Sequence, residues 1–261
     1  MIDTWIITGD THGDMSRFDN LNDYGSSSVG IIILGDAGCN YYLNKKDTQT
    51  KLILENTRYS YFLVRGNHEE RPENIENMIT IYNDDIQGEV FWEENFPHIF
   101  YLKDGEIYNF GGYKTLVIGG AYSVDKYYRL SMGYRWFSEE QLTTAEMDKI
   151  SAKYFGQKFD FVFTHTCPIS WEPTDLFLSM INQHTVDKSM EEWLDEFKDE
   201  IQWNIWLFGH YHADRLERPH VEMFYKDMED LDTIWERWQQ YDEDESLSWW
   251  LQKSPRFYWG E

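Results

Sequence analysis

The chain has 261 residues, a length that suits one large α/β domain, and we expect a single domain over residues 1–261. Its formal net charge is −24, from 23 basic and 47 acidic residues, which argues against nucleic acid and anionic membranes as partners. The apolar runs are strand-length, no secretory leader pattern is present and only two cysteines occur, Cys39 and Cys167, so we expect a cytoplasmic chain with neither a membrane segment nor a disulfide.

The first third of the chain alternates predicted strands and helix. Residues 4–8, 30–34 and 61–64 are continuous apolar runs, and a glycine follows each run within two residues. Such runs are typical of strands that are buried on both faces of a sheet. Because residues 43–57 have the length and polar periodicity of a helix, this order predicts βαβ units with a parallel sheet.

The middle of the chain carries shorter apolar runs at residues 90–92, 99–102, 107–110 and 115–118. Asp104-Gly105 and Gly111-Gly112 separate the last three of these runs, and both dipeptides are hairpin signals. We therefore expect an antiparallel meander in this part of the chain.

The last part returns to longer elements. We predict helices at residues 138–154, 187–200 and 230–240, the first with Ser138 as its N-cap. Strands are predicted at residues 159–164, 204–208 and 221–225.

An acidic, aromatic-rich C-terminal extension begins at about residue 227. Aromatic anchors favour packed interfaces, so this segment is either a helix packed on the body or a contact that forms a homo-oligomer. An aromatic platform for a substrate is the third alternative.

Five short polar motifs stand at the ends of predicted strands. They are Gly9-Asp10-Thr11-His12-Gly13, Gly35-Asp36, Gly66-Asn67-His68-Glu69, His165 and Gly209-His210-Tyr211-His212. Strand ends in open α/β sheets converge on one crevice, and a carboxylate such as that of Asp36 can bridge two cations about 3.5–4 Å apart. Mixed nitrogen and oxygen ligands suit Mn or Fe, and also Zn, better than Mg or Ca. The motifs therefore predict two divalent metal ions that assist hydrolysis of a phosphate ester, with His68 as the proton donor to the leaving oxygen.

The same series, in the same order over residues 4–212, resembles the calcineurin-like metallophosphoesterases. The resemblance implies an α/β fold, a four-layer αββα sandwich of two mixed β-sheets flanked by helices. It implies that His68 is the catalytic histidine. It also implies ligands for two metals: Asp10, His12, Asp36 and His212 for the first, and Asp36, Asn67, His165 and His210 for the second.

The stretch Arg65-Gly66-Asn67-His68-Glu69 is similar to the phosphoprotein phosphatase and dinucleoside tetraphosphatase branch, whose Asp-Arg-Gly element is missing here. In that branch the Asp orients the catalytic histidine and the Arg binds phosphate. Ala37-Gly38-Cys39-Asn40 stands in its place and brings no charge unless the thiol ionises. Another residue must therefore orient His68, and phosphate must be bound by other residues or by metal alone.

Two positively charged residues follow the Gly-rich stretch at residues 119–124. Lys126 and Arg129 are candidates to bind the phosphate or a carboxylate of the substrate. The alternative is that both form surface ion pairs with acidic neighbours, and the same two interpretations apply to Arg65 and Arg71.

We expect a phosphoesterase that hydrolyses a phosphate mono- or diester of a small molecule or phosphopeptide through a hydroxide bridging two divalent metals. A nuclease-type phosphodiesterase is one alternative, against which the charge and the lack of a basic patch with interleaved aromatics both count. A weakly active metal-bound scaffold that binds a partner through its aromatic C-terminal segment is the other. The complete ligand set argues against such a scaffold.

Overall fold

The computed structural model describes residues 2–24 and 28–244, together with a short strand at residues 256–257. Within these residues the strands are β1 (Thr4–Thr8), β2 (Val29–Ile33), β3 (Ser60–Leu63), β4 (Ile79–Asn83), β5 (Gly88–Trp92), β6 (Ile99–Leu102), β7 (Glu106–Phe110), β8 (Tyr113–Ile118), β9 (Lys158–Thr164), β10 (Gln202–Phe208), β11 (Ala213–Arg218), β12 (Val221–Met223), β13 (Met228–Asp230) and β14 (Arg256–Phe257). The α-helices are α1 (Lys45–Glu55), α2 (Lys126–Met132), α3 (Thr144–Tyr154), α4 (Ser189–Glu200) and α5 (Leu231–Asp244). A 3-10 helix at Ser16–Tyr24 lies between β1 and β2.

The strands form two mixed sheets. The first has the order β13-β1-β2-β3-β6-β5-β4, and the second has the order β14-β11-β12-β10-β9-β8-β7. Strands β1, β2, β3 and β6 pair in parallel, as do β12, β10, β9 and β8. The remaining pairs, toward the edges of both sheets, are antiparallel. Each sheet therefore has a parallel centre, whose strands end at the same edge.

The two sheets pack face to face because both faces of their central strands are apolar. Alternate side chains point to opposite faces. Ile32 of β2 lies in the cluster between the sheets, together with Phe62 of β3 and Phe163 of β9. Its neighbour Ile31 packs instead with Leu54 of α1 on the outer face of the first sheet. Helices α3 and α4 cover the outer face of the second sheet, so the four-layer αββα sandwich of two mixed sheets is confirmed.

The expected meander is wrong at one turn. Strands β4, β5 and β6 are antiparallel neighbours, and so are β7 and β8, but β6 and β7 lie in different sheets. Both edges of β6 are already occupied, since it pairs with β3 on one side and with β5 on the other. The Asp104-Gly105 turn therefore crosses from one sheet to the other. The parallel order of the first three strands is confirmed.

The first predicted helix of the C-terminal half begins later than expected. Helix α3 starts at Thr144, because Thr143 and Glu146 form a capping box in which each side chain accepts from the other residue's backbone N–H. Ser138 is therefore not its N-cap. The sequence patterns also missed α2, β4, β11 and β13. No helix in the described part of the chain is long and apolar enough to cross a membrane.

The beginning of the acidic, aromatic-rich extension packs on the body of the protein. Strand β13 pairs with β1, and Leu231, Ile234 and Trp238 of α5 join the cluster between the sheets. This is the packed helix that was one of the three alternatives for the segment. The aromatic residues Trp249, Trp250, Tyr258 and Trp259 lie outside the described residues, so the homo-oligomer contact stays a prediction.

Candidate metal centre

The motif residues meet at one edge of the sandwich. Asp10 follows β1, Asp36 follows β2 and Asn67 follows β3, while His165 follows β9 and His210 follows β10. Because these strands are parallel within each sheet, their carboxyl ends open toward the same edge. Three groups of side chains that could hold a metal ion form here, and within each group the potential ligand atoms lie within 4.8 Å of one another. The groups are Asp10, His12 and His212; His12, Asp36 and His68; and Asp10, Asp36 and His165.

Four side chains of the centre stand on left-handed backbone. The φ angles are 48° at His12, 47° at Asp36, 70° at His210 and 53° at His212. Such a conformation costs about 1–3 kcal/mol at a residue with a side chain, and it persists only where the surroundings enforce it. Its recurrence at these four positions shows that the fold holds their side chains in this one arrangement.

Two glycines let the motif loops approach one another. A Cβ atom at Gly66 would overlap the carboxylate of Asp36, and one at Gly35, where φ is 101°, would overlap the ring of His165. Any side chain at either position would push a motif residue out of the centre. The Gly-Asp and Gly-Asn pairs in the sequence are therefore a steric requirement of the site.

Backbone N–H groups anchor one oxygen of each motif aspartate. His210 N donates to Asp10 Oδ1 at 2.9 Å, and His68 N donates to Asp36 Oδ1 at 2.8 Å. The second oxygen of each carboxylate is thereby turned toward the imidazoles. Each aspartate thus has a fixed orientation and one oxygen available to a cation.

Asp10 Oδ2 is buried and has no hydrogen-bond partner among the described residues. It lies 3.4 Å from His212 Nε2 and 3.7 Å from His12 Nε2, and these two nitrogens are 2.9 Å apart. A buried carboxylate oxygen without a partner is costly, and such an atom requires an explanation. A divalent cation between this oxygen and the two imidazole nitrogens would accept a lone pair from each of the three atoms.

Asp36 Oδ2 lies at the middle of the centre. It is 3.4 Å from His68 Nδ1, 3.7 Å from His165 Nε2 and 4.0 Å from His12 Nδ1. These neighbours come from three separate motifs, so a single oxygen is shared by both halves of the site. That position suits a carboxylate that bridges two cations.

Asn67 Oδ1 and His165 Nε2 face each other, and both atoms are hydrogen-bond acceptors. His165 Nδ1 donates to Leu34 O at 2.7 Å, so its Nε2 carries the lone pair. Asn67 Nδ2 donates to Ser123 Oγ at 2.8 Å, which leaves Asn67 Oδ1 only 2.9 Å from that lone pair. Two acceptors this close repel each other unless a cation lies between them, so this pair also fits a metal.

Ser123 and Glu140 fix the orientation of the Asn67 amide. The Ser123 hydroxyl donates to Glu140 Oε2 at 2.5 Å and so must accept from Asn67. The sequence patterns missed both residues. Ser123 stands in the Gly-rich stretch that drew attention to Lys126 and Arg129, whereas Glu140 carries no local signal.

Five ionisable groups at the centre are shifted toward their metal-binding forms, whereas the pKa of His212 is raised because Asp10 outweighs the effect of burial. Burial lowers the pKa of His12 and His210, and it lowers that of His68 to about 4. Burial alone would raise the pKa of Asp10 and Asp36, but the surrounding imidazoles outweigh it and hold both pKa values below the ordinary range. Neutral imidazoles and ionised carboxylates are the species that bind a metal.

The His210 side chain is set apart from the three ligand groups. Its ring packs on that of His165 at a centroid distance of 5.0 Å, and the residue lines the cavity beside the centre. Its backbone anchors Asp10 through the 2.9 Å hydrogen bond. His210 therefore contributes its backbone N–H to the centre, and its ring lies beside that of His165.

The ring of His68 is held by the guanidinium group of Arg129, a residue of helix α2. Arg129 Nη2 lies 3.0 Å from His68 Nδ1, and since a guanidinium only donates, this ring nitrogen accepts. The proton of a neutral ring then sits on Nε2, which is 3.8 Å from Asp125 Oδ1. Arg129 is itself held by Asp125 at 2.7 Å and by the hydroxyl of Tyr41 at 3.1 Å. The sequence patterns assigned no role to Asp125 or to Tyr41.

The segment in place of the Asp-Arg-Gly element supplies no charge to the centre. Cys39 is free and fully buried, and burial raises the pKa of its thiol well above the usual value. Its backbone N–H donates to Glu69 at 2.9 Å. This segment therefore has no residue that orients His68. Arg129 of α2 contacts the His68 ring instead.

The other candidate cations differ from Arg129. Lys126 Nζ lies over the ring of Trp136, 4.0 Å from its centroid. Arg65 is paired with Asp104 at 2.8 Å, and Arg71 is paired with Glu146 at 2.8 Å. Arg65 and Arg71 therefore form ion pairs with acidic neighbours, which was the alternative to binding the substrate.

Comparison with protein-family models identifies the family of the chain. Residues 4–214 match the family model of the calcineurin-like phosphoesterases, a span that includes every motif residue of the centre. Among solved structures, phosphopantetheinyl hydrolase from Mycobacterium tuberculosis is similar over 99% of this chain and 96% of that chain, with 13% sequence identity and a TM-score of 0.43. None of the curated proteins matches the chain.

Proposed function

Because the chain belongs to the calcineurin-like phosphoesterase family, we propose that it hydrolyses a phosphate mono- or diester with two divalent metal ions bound at this centre. The observation that carries the proposal is the buried Asp10 Oδ2, which faces two imidazoles and has no hydrogen-bond partner among the described residues. When bound, the cations activate water and neutralise phosphate oxygens. Mn or Fe, and also Zn, suit the mixed nitrogen and oxygen donors.

The ligand sets follow the family pattern. The first ion would be held by Asp10, His12, Asp36 and His212, and the second ion would be held by Asp36, Asn67, His165 and His210. The close contacts of Asp10 with His212 and of Asn67 with His165 support the two sets. The short distances from Asp36 Oδ2 to both halves of the site support Asp36 as the bridge.

His68 donates a proton to the leaving oxygen. Arg129 accounts for the required tautomer, because its hydrogen bond to Nδ1 leaves the proton on Nε2. Burial lowers the pKa of His68 to about 4, so the ring is neutral before substrate binds, and the negative charge of a bound phosphate must raise this pKa for the imidazolium to form and give its proton to the leaving oxygen. Arg129, and Lys126 close by on the same helix, also supply positive charge for the phosphate.

A substrate panel tests the proposal. The purified protein with Mn is assayed against phosphomonoesters, cyclic nucleotides, dinucleoside polyphosphates and phosphopeptides. Asp36→Asn should lower turnover at least about a hundredfold, since a bound metal contributes several kcal/mol to the transition state. Asp148→Asn, an exposed carboxylate on α3, is the matched control and should keep full activity. Full activity of Asp36→Asn with an unchanged circular dichroism spectrum would contradict the bridging role.

The role of His68 is tested by the leaving group. His68→Ala should slow esters of alkyl alcohols more than esters of nitrophenol, by about 10²-fold or more for the alkyl esters, because only the poor leaving group needs a proton. The measurement is kcat for both ester types. Equal losses for the two types would remove the general-acid role.

A further inference from the structure

A cavity of about 310 Å³ opens beside the metal centre. It shares Asp36, Asn67, His68 and His212 with the centre. The organic part of a phosphoester bound at the centre would therefore extend into this cavity. The volume is at the lower end of the range of about 300–1,000 Å³ for small-molecule sites. The cavity therefore suits a small organic group.

The wall of the cavity away from the motif residues is mostly apolar. The segment between β9 and α4 contributes Leu176, Phe177, Ile181 and Val186, and Tyr211 completes this surface. The rings of Phe177 and Tyr211 are stacked with a 17° interplanar angle. Apolar side chains gain free energy when they cover an apolar ligand, whereas a sugar or polyphosphate would lose hydration here.

The charges in the wall argue against an anionic organic part. Lys188 is paired with Glu172 at 2.5 Å, and its Nζ lies 4.8 Å from the centroid of the Phe177 ring. Asp125 is itself paired with Arg129 at 2.7 Å, and Glu191 adds a carboxyl group to the wall. The positive charge of Lys188 is therefore already neutralised, and the lining residues that the structure describes offer no unpaired positive charge to a second carboxylate or phosphate on the substrate.

Glu191 presents a buried carboxyl oxygen that its neighbours leave unused, and burial raises the pKa of this carboxyl group to about 7. The residue is 3% exposed and belongs to the cavity wall. Its Oε1 accepts from Thr166 Oγ1 at 2.8 Å, whereas Oε2 is buried without a hydrogen-bond partner among the described residues. A buried polar atom of this kind is costly unless a ligand satisfies it.

We propose that this cavity binds the organic part of the substrate, and that the substrate is a small phosphoester whose organic part is apolar, uncharged and carries one group, such as a hydroxyl, that hydrogen-bonds to Glu191. This inference rests on the proposed function, because it assigns the substrate class of the same site. It separates the substrate from nucleotides, sugar phosphates and phosphopeptides.

A matched series of monoesters tests the apolar preference. The compounds are methyl phosphate, glycerol 3-phosphate, 4-methylbenzyl phosphate and 4-(hydroxymethyl)benzyl phosphate, together with a phosphoserine peptide. With Mn, kcat/KM for 4-methylbenzyl phosphate should exceed that for glycerol 3-phosphate by about tenfold or more, the factor that corresponds to about 1.4 kcal/mol. The hydroxymethyl compound should exceed the methyl compound again by several-fold. Equal values across the series, or a preference for the peptide, would overturn the proposal.

Two variants connect the preference to the cavity. Ile181→Trp fills the cavity and should lower kcat/KM for the benzyl esters about tenfold while that for methyl phosphate stays the same. Ile53→Trp adds the same bulk to an exposed position of α1 and should change neither value. Glu191→Gln should abolish the advantage of the hydroxymethyl compound over the methyl compound. A retained advantage in Glu191→Gln would overturn the role of Glu191.

A binding measurement separates this inference from the proposed function. 1,4-Benzenedimethanol, which has no phosphate, is titrated into the full chain by calorimetry, with Mn and with a chelator. Binding that is weakened about tenfold by Ile181→Trp supports the cavity even if none of the phosphoesters is hydrolysed, a result that would remove only the proposed activity. Absence of binding to the wild type, together with hydrolysis that does not discriminate within the series, would overturn the cavity and leave the activity standing.

Discussion

Ser123 acts on the centre through Asn67. Its hydroxyl accepts from the Asn67 amide and donates to Glu140, so the carbonyl oxygen of Asn67 is turned toward His165. The residues that orient a metal ligand affect metal affinity almost as strongly as the ligand itself does. Ser123 is therefore a positioning residue whose effect is visible in metal binding without any substrate.

We expect Ser123→Ala to weaken Mn binding about 10- to 100-fold, because the Asn67 amide loses the partner that orients it. The measurement is calorimetric titration of Mn into the full chain. Ser131→Ala removes an exposed hydroxyl from α2 and is the matched control, with no expected change. Equal Mn affinity in the two variants would show that Asn67 is oriented by other contacts.

Single residues also show how far the sequence patterns reached. Asp10, His12, Asp36, His165 and His212 were selected by their positions after strands, and the structure brings them together. Arg129 was selected only as one of two possible cations. Its contact with His68 depends on where α2 lies relative to β3, and no local pattern contains that information.

Secondary-structure elements were predictable where the pattern was strong. The long apolar runs that became β1, β2, β3, β9 and β10 were recognised because burial on both faces leaves an unbroken hydrophobic stretch. Strands β11 and β13 were missed because polar and apolar residues are mixed in them, and they owe their conformation to pairing with neighbouring strands. The Asp104-Gly105 turn was misassigned because a turn dipeptide does not specify which sheet the next strand joins.

Helix α5 is the element that connects the C-terminal extension to the core. Trp238 is fully buried between the sheets, and its indole N–H donates to Glu222 at 2.6 Å. We therefore propose that the extension up to α5 folds together with residues 4–214 as one domain.

Trp238→Ala tests whether the extension up to α5 and residues 4–214 fold as one domain. It should lower the free energy of unfolding by about 3–5 kcal/mol, the usual cost of removing a buried tryptophan. Chemical denaturation is followed by both near-UV and far-UV circular dichroism. Gln239→Ala, at an exposed position of the same helix, should change the unfolding free energy by less than about 0.5 kcal/mol. Two separate transitions in the wild type would contradict the single domain.

The whole molecule combines a net charge of −24 with a centre of converging carboxylates and imidazoles. Metal bound at this centre would relieve part of this negative charge and stabilise the folded state, since the unfolded chain has no assembled centre. At Mn concentrations about 100-fold above the dissociation constant, this linkage contributes about 2.7 kcal/mol.

We expect metal analysis after equilibration with Mn to give close to two ions per chain, and the melting temperature to rise by about 5 °C or more. Asp36→Asn should lose most of both effects, whereas Asp148→Asn should keep them. A metal-free protein at saturating Mn would disprove the centre.

The sequence by itself determined the parallel strand order, the series of motifs after the strands and hence the family and the inventory of donors. These are local properties, because burial periodicity and ligand type are both written in short stretches of chain. The tertiary structure alone decided that Arg129 meets His68, that Ser123 orients Asn67, and that an apolar cavity with an unsatisfied Glu191 adjoins the centre. Those features join residues from separate elements, and their contacts arise only when the two sheets and their helices pack.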